Sequence, residues 1–111
     1  MELDDAPLIF ANRLRQARLA ADLTQEALGV AAGLSVDVAR VRINRYEKGG
    51  RECDLRTAKR LAEALDMPLA ALYAETDEVA EAITALVKLP LEEQRLIVAE
   101  LQRKAGKQGS R

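Results

Sequence analysis

The chain has 111 residues, 49% of them hydrophobic, and a formal net charge of −1. This composition suits one domain with a core, and it lacks an apolar run long enough to span a membrane. With no histidine, one cysteine and no glycine-rich phosphate loop, it excludes an internal disulfide, the usual zinc sites and His-based triads.

Alanine and leucine dominate and β-branched residues are scarce, so the expected elements are helices. Asp5 is placed to cap a first helix with Pro7 in its opening turn. Phe10, Leu14, Ala17 and Ala21 then form one apolar stripe ending near Asp22. Thr24 is the N-cap of a short second helix of about eight residues, with Ala27, Leu28 and Ala31 as its inner face. Gly33 stands where a left-handed C-terminal residue is expected.

A third helix carries "ARVRINRYEKGGR". At about 100° per residue, Val36, Ala39 and Tyr46 fall within about 60° of Ile43 and form the expected buried arc. Arg40, Val41, Arg42, Asn44 and Arg45 sweep the open side. Glu47 lands at the edge of the buried arc, where a carboxylate needs a partner. Arg18, late in the first helix, is the candidate. After the loop "KGGREC", Asp54 caps a fourth helix with Ala58, Leu61, Ala62 and Leu65 inward. Met67-Pro68 stops it, and Pro68 opens a short fifth helix through Leu69, Leu72 and Tyr73. From Glu75 come two amphipathic stripes, Val79, Ile83, Leu86 and Val87, then Leu91, Ile97, Val98 and Leu101. Pro90 starts the second, and "KAGKQGSR" reads as a frayed tail.

Charge is segregated. Arg40 to Arg60 holds eight cations against three carboxylates, while the first twelve residues carry three carboxylates against no cation before Arg13. Exposed charges farther apart than about 8–10 Å are largely screened at physiological salt, so a polyanion feels the local excess and not the chain average. A short helix, a glycine turn and a helix with a one-sided basic face outline a helix-turn-helix.

"RLRQARLAADLTQEALGVAAGL…INRYEKGGRECDLRTAKRLAEALDMPLAALY" resembles the Cro/C1-type (XRE) helix-turn-helix domains of phage repressors and bacterial regulators, over about residues 8–74. The motifs are Leu-Thr-Gln-Glu opening the second helix, Ile-x-x-Tyr-Glu-x-Gly closing the third, and the Leu/Ala pattern of the fourth. The resemblance implies an all-α, five-helix lambda-repressor-like DNA-binding domain (6–74). Beyond it lie a C-terminal two-helix extension in the form of a hairpin (75–105) and a disordered tail (106–111). The resemblance also implies base contacts from Arg40, Val41, Asn44 and Arg45. Phosphate contacts are implied for Gln25, Arg42, Lys48 and Arg51, and a structural ion pair for Arg18 and Glu47.

Its implied function is sequence-specific binding of double-stranded DNA at a palindromic operator, as a homodimeric repressor that sterically blocks polymerase. Location in the bacterial cytoplasm at the nucleoid is expected, with no membrane, catalytic residue, cofactor or metal. The stripes of the hairpin suit either a dimer interface or a cap on the core. Competing roles are an antitoxin whose hairpin binds a toxin, and an adaptor that keeps the fold without DNA. Such an adaptor is expected to lose Gln25 and the exposed cations, which this chain retains. Between Gly33 and Tyr46 there are about four residues more than usual, fitting an extended recognition helix or a longer loop equally well. Cys53 stands where the family commonly has proline.

Overall fold

The computed structural model describes residues 6–109. The described chain is helical throughout its regular elements: α1 (Ala6–Ala20), α2 (Gln25–Ala31), α3 (Val36–Glu47), α4 (Leu55–Ala64), a 3₁₀ helix (Leu69–Tyr73), α5 (Asp77–Leu86) and α6 (Leu91–Gly109). Asp5, the expected cap of α1, lies outside the described residues.

Local chemistry sets the helix ends. Thr24, Asp54 and Thr76 each accept a hydrogen bond from the backbone N–H three residues on, satisfying an otherwise orphaned donor. The first four helices close in one common way, through a left-handed residue and a six-residue backbone bond. At α2 that residue is Gly33 (φ 96°), with Leu34 N–H donating to Gly29 O at 2.9 Å. Gly49 does the same after α3, while Asp22 and Asp66 adopt the left-handed conformation after α1 and α4. Aspartate tolerates that region because its short polar side chain bonds locally.

The core is built from Phe10, Leu14, Leu28, Ile43, Tyr46, Leu61 and Leu72, with alanines at the close approaches. α2 and α3 form the most intimate helix pair, and the reason is Gly29. A Cβ on Gly29 would lie 2.6 Å from the Cβ of Ala39, so only hydrogen fits between the two helices. This contact corrects the expected inner face of α2. Leu28, Gly29 and Ala32 are buried, whereas Ala27 and Ala31 are exposed. Val36 is also corrected: it has the right phase but stands 60% exposed at the first position of α3. Ala21 falls in the turn after α1 and is exposed as well.

The 3₁₀ helix packs on α1, with the Phe10 and Tyr73 rings 5.3 Å apart. Arg13 then ties α1 to the segment beyond the 3₁₀ helix. Its Nε donates to Ala74 O at 2.8 Å and its Nη1 to Asp77 Oδ1 at 2.6 Å, anchoring the start of α5. Among the described residues α6 makes no extensive packing contact with another element. The tail differs from the expected one: residues 106–109 continue α6, while 110–111 lie outside the described residues. No proline interrupts the helix there, and Lys107 in its last turn complements the helix dipole.

Candidate nucleic-acid interface

α3 stands on α2 by its Ala39–Ile43–Tyr46 side and turns the rest of its surface to solvent. Glu47 closes α3 on the buried side, and Arg18 meets it there with both Nε and Nη2, at 2.6 and 3.1 Å. The third guanidinium nitrogen of Arg18 donates to Leu23 O at 2.8 Å. The expected ion pair is therefore formed, and it fixes α3 against the end of α1 and the entry to α2.

Gln25, the first residue of α2, joins this network. Its amide nitrogen donates to Glu47 Oε1 at 3.1 Å and to Asn44 Oδ1 at 3.2 Å. An amide NH₂ has two hydrogens, and both are used inside the protein. The side chain expected on a phosphate thus has no donor left for one in this arrangement. The amide of Asn44 is oriented by the same bond, with its oxygen inward and its NH₂ free.

Beside this network runs an open groove of about 720 Å³, lined among others by Arg15, Thr24, Gln25, Arg40, Asn44 and Lys48. Arg18 contributes no free charge there because Glu47 neutralises it, so the available cations are Arg15, Arg40 and Lys48. Of the expected site residues, the groove gathers Arg40, Asn44, Gln25 and Lys48. Val41 and Arg45 are exposed on the adjoining face of α3. Arg42 sits on the far edge, half-buried, its Nη1 3.5 Å from the Tyr46 hydroxyl. Arg51 is separate again, lining a hollow with Phe10, Cys53 and Tyr73. The arrangement is an exposed, mostly polar helix face with cations beside it.

Arg15 is not among the expected residues. The signal is present in its spacing, because it lies three residues before Arg18 and so shares that face of α1. Cys53 is half-buried in the loop before α4. Burial pushes its thiol up to about 12, with Asp54 adding to the rise and the Tyr46 hydrogen bond and Arg42 and Arg51 opposing it. Asp54 is held below the usual carboxylate range by its hydrogen bonds from Thr57.

A family model described as helix-turn-helix matches residues 14–72, more than half of the chain. The chain belongs to the Cro/C1-type helix-turn-helix family. Among solved structures, the crystal structure of transcriptional regulator BswR is similar at 32% identity and a TM-score of 0.73, covering 88% of this chain and 97% of that one. No curated protein matches the chain in sequence. In this helix-turn-helix the additional residues lengthen the helix and not the loop. α3 begins at Val36 with Ser35 as N-cap, only four residues separate it from the end of α2, and it runs for 12 residues. One extra turn preserves the phase of the reading face to within about 40°. Among the described residues no helix is long and apolar enough to cross a membrane.

Proposed function

We propose that this helix-turn-helix protein is a homodimeric transcriptional repressor that reads a palindromic operator in double-stranded DNA. The observation that carries the proposal is the outward face of α3, where Arg40, Val41, Asn44 and Arg45 stand free of the core between two cationic edges. The major groove, about 12 Å wide, admits one helix. Arginine can grip guanine O6 and N7, asparagine can read a base edge, and valine can meet a thymine methyl, each good bidentate pair discriminating by about 1–3 kcal/mol. Lys48 and Arg15 would rest on phosphates along one edge, and Arg42 and Arg51 along the other, fixing register without reading sequence. The similarity to a transcriptional regulator over nearly its whole length supports regulation as the purpose of the binding. Repression would be steric, at an operator within the bacterial nucleoid.

Selection of bound sites from random double-stranded DNA tests this reading. The expected outcome is an enriched palindrome whose half-sites are centred about one helical turn, or a multiple of it, apart. Recovery of no enriched motif, with uniform salt-sensitive binding to all fragments, would overturn it.

A further inference from the structure

α6 is a helix of 19 residues that makes no extensive packing contact with another element among the described residues. The radius of gyration is 16.3 Å, against about 13 Å for a compact chain of this length, as a projecting helix requires. One face carries Leu91, Ile97, Val98 and Leu101, with Leu91 59% and Leu101 54% exposed. At about 100° per residue these four, together with Gln94 and Ala105, fall within one arc of about 120°. The opposite face holds the Glu100–Arg103 ion pair together with a single large apolar side chain, Leu96. Isolated helices of this length are marginal in water, so the apolar arc calls for a cover.

Charge placement indicates what that cover is. Glu93 and Lys104 border the same edge of the apolar arc, about 16 Å apart along the axis. Among the described residues neither makes an ion pair. We propose that α6 pairs antiparallel with α6 of a second copy of this chain, about a two-fold axis near Val98. In that register Glu93 of each copy meets Lys104 of the other, the two Val98 side chains face each other, and Leu91 lies over Ala105. A parallel pair would instead set the Glu93 and Lys104 edge of each copy against the opposite edge of the other, leaving both charges without these partners. The pairing rests on the proposed homodimeric function and names the surface that would produce the dimer.

Sedimentation of the full chain without DNA tests the pairing. Wild type is expected to dimerise at tens of micromolar. Glu93→Lys and Lys104→Glu are each expected to weaken the dimer about tenfold, since both symmetric contacts become repulsive. An equimolar mixture of the two variants is expected to regain wild-type association, because only the mixed pair has opposite charges at both contacts. Val98→Glu is expected to give monomers with a half-site affinity unchanged from wild type, as α6 supports no part of the reading face. A wild-type monomer would overturn the pairing and leave α6 to a different protein. Failure of the mixed variants to recover would overturn the antiparallel register. Loss of all DNA binding by wild type would sink the proposed function while leaving the sedimentation result intact.

Discussion

Arg18 and Glu47, one in the last turn of α1 and the other closing α3, hold each other by two parallel bonds with side chains only 11% and 3% exposed. Taking both charges out of water offsets most of their attraction, so the intact pair contributes little net stability. Removing one partner is different, because the other is left buried and uncompensated. Arg18→Ala and Glu47→Ala are each expected to cost about 3–5 kcal/mol in urea unfolding. The double variant should cost clearly less than the sum. Losses below about 1 kcal/mol for both single variants would show that water replaces the partner freely.

The Cys53 thiol gives a pH prediction. Its proton is held more tightly in the folded chain, up to about 12 against an ordinary 9.0, mainly because burial disfavours the thiolate. The unfolded chain therefore releases this proton first as pH rises. Stability from Cys53 is complete below about pH 9 and declines between about 9 and 12. Cys53→Ala should flatten the decline in that window while other groups keep theirs. Alkylation at pH 8 should be slower in the folded protein than in urea, and equal rates would contradict the burial.

Much of the architecture is legible in the sequence because its signals are local. Thr24 and Asp54 cap where their spacing says they should, Gly33 and Pro68 punctuate correctly, and helical phase alone pairs Arg18 with Glu47. What escapes depends on contacts between elements. α2 is only two turns long with alanines at 27, 31 and 32, so periodicity does not choose its face; the Gly29–Ala39 approach does. Val36 has core phase, yet it is left exposed while Ala39, in the same turn, is buried against Gly29. Asp22 and Asp66 end helices in a conformation more often given to glycine, which hides those ends in the sequence. The exposed side of α3 is recoverable from helical phase, whereas the internal use of Gln25 requires two side chains from different helices to be placed together.

Gln25 yields a sharp contrast between two roles. A phosphate ligand carries affinity but no base information, whereas a residue that orients Asn44 affects discrimination. Because both amide hydrogens of Gln25 are directed at Asn44 and Glu47, Gln25→Ala is expected to relax preference at the base that Asn44 is proposed to read. Binding to an unrelated sequence should change little. Uniform weakening on every sequence, with preference intact, would restore the phosphate role.

Lys48, Arg15 and Arg40 line one groove yet are expected to act differently on DNA. Lys48 is exposed beyond the last turn of α3 and Arg15 stands on α1, so both face the groove edge where a backbone would pass. Arg40 lies on α3 itself, the helix proposed to enter the major groove. Lys48→Ala and Arg15→Ala should each lower affinity for all sequences and reduce the slope of log K against log salt by roughly 0.9. Arg40→Ala should instead cost about 1–3 kcal/mol on the preferred site and relax specificity at one position. Titrations of the selected operator and a scrambled duplex at several salt concentrations separate the two patterns. If Arg40→Ala lost affinity equally on both duplexes, Arg40 would join Lys48 and Arg15 on the backbone, leaving Val41, Asn44 and Arg45 to read the bases.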